Sequence, residues 1–526
     1  MPTAPATAYD RVPYKSHPFR QSHPDRLAVI ATLHGMSPVP IERARVLELG
    51  CASGGNLVPM ADQFPEATFL GLDMSIRQIQ DGQKIVERSG LKNVELRHQD
   101  ILEFDAPAES FDYILCHGVF SWVPDAVQRK ILDICGKCLS PNGVGYVSYN
   151  TYPGWHMRGM IRDIMRYRAQ FFDKPEQQLK QARGLLTFLS ESVKTENNAY
   201  GILLKNELEA ISGADDSYLI HEHLEEVNDP LYFHEFAERA DASGLQYLGE
   251  ADYGSMSLDN FPEPIQAMLQ SVSRDIVEME QYMDFVRNRM FRQTLLCRKE
   301  VALDRVPKPQ QLLRLEVASS SKPETEVNLQ ADERTTFRRG SSVLTTSDPV
   351  VKAAMQQLRE VWPMSIPFLE LAAIARSRIG GRMSVMQTDA MSPATLHLAG
   401  TMLRCYGTSQ IDLRTTRPGF TLQISERPLA SPLARTQAEA GLPVTDRQHG
   451  SPPLDDFQRQ LLVLLDGTRS RTDLLEALTQ KVRNGELLLH QNGNRVSAST
   501  NARELLDSWL TPAMESLARC ALLVEQ

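Results

Sequence analysis

The sequence has no apolar run of the ~20 residues that a membrane-spanning helix needs, so no membrane insertion is expected. Its first 19 residues carry neither a cationic stretch nor an apolar core of the secretory kind, which points to a cytoplasmic protein. Cysteine is sparse, seven in 526 residues, and scattered, which excludes a disulfide framework. Cys135 and Cys138 fall at i and i+3 on one predicted helix, but no second pair or histidines accompany them. They read as core residues and not as zinc ligands, and no metal is expected. A basic excess is missing too: 56 Lys and Arg stand against 66 Asp and Glu, a net charge of −10. That excludes a general binder of the phosphate backbone, and no nucleic-acid partner is expected.

At this length two or three domains are expected. The first half alternates short apolar runs with helical patterns, the mark of a parallel sheet covered by helices. Five strands are predicted at Arg45-Val-Leu-Glu-Leu49, Thr68-Phe-Leu-Gly-Leu72, Asn93-Val-Glu-Leu-Arg97, Phe111-Asp-Tyr-Ile-Leu-Cys116 and Gly143-Val-Gly-Tyr-Val-Ser-Tyr149. From 159 to about 226 the pattern is helical, and strand signals return at Leu245-Gln-Tyr-Leu-Gly-Glu250 and Arg292-Gln-Thr-Leu-Leu-Cys297. The expected architecture is α/β: a Rossmann-like, seven-stranded sheet over 1–156, a helical cap inserted at 157–228, and a segment at 229–300 completing the sheet. A Pro- and Ser-containing linker is expected at 301–347. A helix-rich, winged-helix-like domain is expected at 348–526, with a small hairpin at 410–414 and 420–424.

The loop after the first strand reads Glu48-Leu-Gly-Cys-Ala-Ser-Gly-Gly-Asn56. A dinucleotide fingerprint would need G-x-G-x-x-G, but Ala52 stands at the second glycine position and no pyrophosphate cradle is formed. Glycines here instead let a ligand without phosphate approach the backbone, and Glu48 is placed for an ammonium. Asp73 follows the second strand, where a carboxylate can accept both ribose hydroxyls. Asp100 follows the third, with Ile101 beside it to pack on an adenine. The fourth strand opens onto Cys116-His-Gly-Val-Phe-Ser-Trp-Val-Pro124. Together these features predict S-adenosylmethionine as cofactor. The expected contacts are Glu48, Gly50, Cys51, Ala52, Gly54, Asn56, Asp73, Met74, Gln99, Asp100, Ile101, His117, Gly118 and Trp122.

Several segments resemble a bacterial group of class I methyltransferases carrying a methyltransferase regulatory domain. They are Val12-Pro-Tyr-Lys-Ser-His-Pro-Phe19, His23-Pro-Asp-Arg-Leu27, Val46 to Leu57, His117 to Pro124 and Ser148-Tyr-Asn-Thr-Tyr-Pro-Gly-Trp155. The likeness continues through Tyr218-Leu-Ile-His-Glu-His-Leu224 and Tyr232-Phe-His-Glu-Phe236 into Ser431-Pro-Leu-Ala-Arg435 and Leu465-Asp-Gly-Thr-Arg469. The group includes protein-lysine methyltransferases that modify outer-membrane proteins. The resemblance implies methyl transfer to lysine side chains of a partner protein, with a small-molecule N- or O-methyltransferase as the alternative.

A lysine must reach the methyl donor neutral and in line, which calls for a desolvated, aromatic-lined channel. Tyr14, Tyr149 and Trp155 are expected to line it, Asn150 to hold the amine, and His117 to stand near as a base or a structural histidine. His221, His223 and His234 with Glu222 and Glu235 read as a polar helix face, since their spacing is not that of a metal motif, and the basic run 158–168 reads as a solvated helix face. The acidic C-terminal domain is expected to serve substrate docking or a homodimer contact.

Overall fold

A computed structural model describes residues 14–213, 215–330, 333–380, 389–491, 494–495 and 502–525, and the structural statements concern these. Strands β1 (Arg45–Leu49), β2 (Thr68–Asp73), β3 (Val94–His98), β4 (Phe111–Cys116), β5 (Leu139–Asn150), β6 (Leu245–Glu250) and β7 (Phe291–Arg298) form one sheet. Their order is β3-β2-β1-β4-β5-β7-β6. The first five run parallel, and β7 is antiparallel to both β5 and β6. Central β1 is buried on both faces, as a helix-covered parallel strand must be. Val46 packs on one side and Leu47 and Leu49 on the other. Glu48 is the exception, a carboxyl inside this interior strand.

Helices α1 (Pro24–Leu33), α2 (Leu57–Gln63), α3 (Ile76–Ser89) and α4 (Asp125–Cys138) cover this sheet. Ser75 starts α3 by accepting the Gln78 N–H at 3.3 Å, and Gly90 ends it in the left-handed region, φ 72°. Cys135 and Cys138 are both buried in the core.

Between β5 and β6 the chain adds α5 (Trp155–Ala169), α6 (Pro175–Ser192), α7 (Ala199–Ser212) and the short α8 (Asp216–Leu219). The last runs directly into a π-helical turn, Ile220–Leu224. This insertion has its own apolar cluster, including Ile161, Leu186, Leu204 and Leu219. The polar faces expected here are not solvated. His221 and His223 are 5% and 1% exposed. Arg158 turns inward to Glu207 at 3.2 Å and Glu222 at 3.6 Å, and Arg162 donates to the Glu225 carbonyl. Buried carboxylates and carbonyls need such partners, and long cations on the neighbouring helix supply them.

Helices α9 (Phe233–Ala242), α10 (Glu263–Val272) and α11 (Ile276–Arg287) lead back to β7. There Arg292 is fully buried over the Phe233 ring, 3.8 Å from its centroid. It donates to Glu250 at 2.7 Å, Asp284 at 2.7 and 2.9 Å, and Glu280 at 3.0 Å, tying β7 to β6 and α11.

Of residues 301–347, read as a linker, 301–330 and 333–347 are folded. Strand β8 (Glu316–Ala318) is followed by β9 (Lys322–Pro323) and the hairpin β10 (Thr335–Arg339) and β11 (Ser342–Thr346). Leu312, Leu315, Val317 and Phe337 enter the main core, at spacings too irregular to show a period. After α12 (Pro349–Val361), β12 (Ile366–Pro367), α13 (Phe368–Arg378) and α14 (Pro393–Gly407) comes β13 (Asp412–Arg414). It pairs with β8, so the hairpin expected with 420–424 is not formed. Beyond about residue 430 a separate core begins, built on Leu461, Leu474, Leu506 and Leu517. It joins α15 (Pro432–Glu439), α16 (Asp456–Leu464), α17 (Arg471–Arg483) and α18 (Ala502–Arg519), the first and last unforeseen from sequence. The expected 348–526 unit thus divides: its first part shares the main core, and the helix-rich winged-helix domain follows. Among the described residues no helix is long and apolar enough to cross a membrane.

Candidate functional site

The strand order reverses between β1 and β4, and a crevice opens there at the carboxyl ends, where doubly wound sheets bind ligands. The cavity measures about 540 Å3. Its walls include Glu48, Gly50, Cys51, Ala52 and Asn56 from the first loop and Asp73 and Met74 after β2. Gln99, Asp100 and Ile101 follow β3, and His117, Gly118 and Trp122 follow β4.

The loop's backbone explains its composition. Gly50 has φ 76°, and a Cβ there would stand 2.3 Å from Val119 Cγ2. Gly54 also has φ 76° but does not line the cavity; a Cβ would meet Val58 at 2.8 Å and Leu96 at 3.0 Å. Its role is packing and not room for a ligand. Ala52 takes a left-handed φ of 49°, held by its N–H to Asp73 Oδ2 at 2.8 Å. That conformation costs an L-residue about 1 kcal/mol. Ala52→Gly is therefore expected to stabilise the protein by about 1 kcal/mol in denaturant melts; a lower midpoint would show that the Ala52 methyl group contributes more than the backbone strain costs.

Glu48 is 3% exposed. Asn56 Nδ2 donates to its Oε1 at 2.6 Å, while Oε2 has no hydrogen-bond partner among the described residues. Burial raises this carboxyl to about 7; the Asn56 bond opposes the shift and the Asp73 charge adds to it. A buried carboxylate with one unpartnered oxygen fits a cationic ligand group such as the ammonium of S-adenosylmethionine. Asp73 accepts the N–H groups of Ala52 and Ser75, each at 2.8 Å, which fixes its carboxylate beside the loop after β1. Asp100 caps a short turn by accepting the Leu102 N–H at 2.9 Å. These groups suit a ribose and an adenine amino group.

His117 lies against Phe19 with ring centroids 3.8 Å apart, and its Nδ1 meets Tyr146 Oη at 2.8 Å. Burial lowers its imidazole to about 4, so at neutral pH it is uncharged and a weak base. Of the other residues expected on the acceptor side, only Tyr14 lines the cavity. Tyr149 points to the opposite face of the sheet, stacked on Phe236 at 4.2 Å and bonded to Thr294 at 3.1 Å. Side chains alternate along a strand, and position 149 has the parity opposite to Tyr146, which meets His117. Trp155 sits one layer behind, edge-on to Trp122 at 6.2 Å. Asn150 is buried outside the lining, its Nδ2 unpartnered among the described residues.

Apart from Tyr14, sequence reasoning missed the second wall. Tyr218 comes from α8, His221 and Glu222 from the π turn, Glu225 from just beyond it, and Ser16 and Phe19 from the N-terminal strap. The strap is pinned by the Gly55 N–H to Ser16 Oγ at 2.7 Å and by Lys15 to Asp215 at 2.8 Å. Burial raises Glu222 to about 7, opposed by Arg158 and reinforced by Glu207. Burial and the Glu222 charge also raise Tyr14, and Tyr218 goes to about 12. The available signal was the motif from Tyr218 to Leu224, which carries the family resemblance and reads as a polar helix face though no strand or core helix requires it.

Family models match at three places: a methyltransferase domain at 46–143, a predicted methyltransferase regulatory domain at 215–298, and a PKMT C-terminal winged-helix domain at 426–522. An uncharacterized protein of Rickettsia prowazekii, RP789, is 34% identical over 526 residues, covering 98% of this chain and 93% of its own length. The structure of PKMT2 from Rickettsia typhi superposes with a TM-score of 0.86 at 31% identity, over 97% of this chain and all of that one. Its complex with AdoHcy gives 0.85. The chain therefore belongs to the class I, S-adenosylmethionine-dependent methyltransferases that carry a methyltransferase regulatory domain and a PKMT-type winged-helix domain.

Proposed function

We propose that this methyltransferase is a protein-lysine N-methyltransferase. The observation that carries the reading is the second wall of the cavity, where Tyr14, Tyr218 and Glu222 face the cofactor loop across one cavity. A lysine arrives as a cation, and an acid between two phenols is suited to receive it. The likeness to PKMT2 over nearly the whole chain supports the same reading.

In this proposal Glu48 takes the cofactor's ammonium, Asp73 its ribose, and Gln99, Asp100 and Ile101 its adenine. S-adenosylmethionine, when bound, supplies the methyl group. Glu222 draws in the lysine ammonium and takes up its proton, a task for which a carboxyl near 7 is a better match than an ordinary one. The Tyr14 and Tyr218 hydroxyls orient the amine, and the strap of residues 14–22 with the helical insertion keeps water from the site.

The test is transfer of labelled methyl groups from S-adenosylmethionine into host lysate, followed by hydrolysis of the labelled protein. Nε-methylated lysine in a discrete protein supports the proposal. Label confined to small molecules would replace it by small-molecule methylation.

A further inference from the structure

The winged-helix domain reaches the back of the cofactor loop through one tight turn, residues 446–450. Asp446 Oδ1 accepts the N–H groups of Gln448 and Gly450, both at 2.8 Å, and the Asp446 N–H donates to the Gly450 carbonyl at 2.9 Å. Arg447 anchors the turn to Asp62, at 2.9 Å to its carbonyl and 3.1 Å to its carboxylate. At the tip, His449 holds a left-handed φ of 59° and is 3% exposed. Its Nε2 lies 2.8 Å from Asn56 Oδ1.

The polarity of this contact is determined by its neighbours. The Phe19 N–H can only donate, and it meets Asn56 Oδ1 at 2.9 Å. The carboxylate of Glu48 can only accept when ionised, and it meets Asn56 Nδ2 at 2.6 Å. The amide is therefore oriented, and His449 must carry its proton on Nε2 and donate. Nδ2 also reaches Ser22 Oγ at 3.0 Å, which leaves the amide bonded on both ends. A chain of two short bonds thus runs from the winged-helix domain through Asn56 to Glu48.

We propose that His449 is a positioning residue for the cofactor: by holding Asn56, it sets the place of Glu48 and lets the C-terminal domain govern affinity for the amino-acid end of S-adenosylmethionine. The inference rests on the reading of Glu48 as the ammonium's partner. A residue in the left-handed region at a domain contact, with its side chain committed to another domain's loop, is strain retained where position matters. The winged-helix domain then belongs to the cofactor site as well as to any surface for a partner.

Calorimetric titration of the full-length protein with two ligands tests this. S-adenosylhomocysteine has the amino-acid part, and 5′-methylthioadenosine has the nucleoside and thioether without it. Asn tolerates a left-handed backbone but is too short to reach Asn56, so H449N removes the bond without adding strain. It is expected to weaken S-adenosylhomocysteine about tenfold, as loss of one buried hydrogen bond does, and to leave methylthioadenosine within about twofold. H449Q keeps a donor of similar reach and is expected to restore binding to within about threefold. Wild-type affinity of H449N for S-adenosylhomocysteine, or equal loss for both ligands, would overturn the proposal. Should H449N fail to fold, R447M releases the turn without touching Asn56. The same selective loss then supports the proposal, and an equal loss or none overturns it. E48Q separates the premise: if it binds S-adenosylhomocysteine normally, the Glu48 reading itself is wrong.

Discussion

Glu48→Gln is expected to weaken S-adenosylmethionine binding by about 2–3 kcal/mol, roughly 30- to 150-fold, because it removes a buried charge facing a cation. The substitution is nearly isosteric. Gln can still accept the Asn56 bond through its carbonyl, and little should change in the fold. The pH dependence distinguishes charge from shape. In the free protein burial holds Glu48 near 7, so below that pH it is mostly protonated and neutral. A cationic ligand binds the ionised form, which pulls the carboxyl back down in the complex. Affinity should therefore fall as pH drops from about 7 towards 5, approaching tenfold per unit while the bound-state value stays below the working pH. In E48Q this slope should vanish. A wild-type profile flat over that window would mean that the ammonium is held by something else.

Glu222→Gln should strike the acceptor half of the same cavity. We expect turnover on the protein acceptor to fall at least about 100-fold, the usual scale for removing a positioned proton acceptor. Binding of S-adenosylhomocysteine should stay within about threefold of wild type, since Glu222 sits on the wall contributed by the insertion. Glu222 also balances Arg158, which keeps Glu207 as a partner at 3.2 Å, so the π turn is not left with an uncompensated cation. Single-turnover rates at several pH values are the measurement. Wild-type rates should climb as pH rises through about 7 and Glu222 ionises. An E222Q enzyme with undiminished turnover would remove this residue from the mechanism and weaken the case for an amine acceptor.

The sheet was legible because each of its signals is local. A buried strand announces itself within five or six residues, and a strand-to-helix loop carries its ligand contacts within about ten more. Glu48, Asp73, Asp100 and His117 could accordingly be named in advance as residues of one cavity, each standing at the carboxyl end of its own strand. The fold's α/β order and helical insertion followed from the same kind of evidence. Where the chain lacked a period, reading failed. Residues 301–347 contribute scattered apolar side chains to the main core, and scattered positions look like a linker.

The sequence by itself determined the chemistry-bearing loop, the strand order's raw material and the kind of cofactor, because glycine, acid and strand lie next to one another in the chain. Only the tertiary structure decided which aromatic residues meet the cavity. Tyr149 is turned away by the two-residue alternation of β5, whereas Tyr218 is brought in by α8 and Glu222 by the π turn that follows it. It likewise decided that His449 stands behind Asn56, 393 residues distant in the chain. Contacts of that kind arise from the docking of separately built cores, and no local pattern encodes where one core will rest against another.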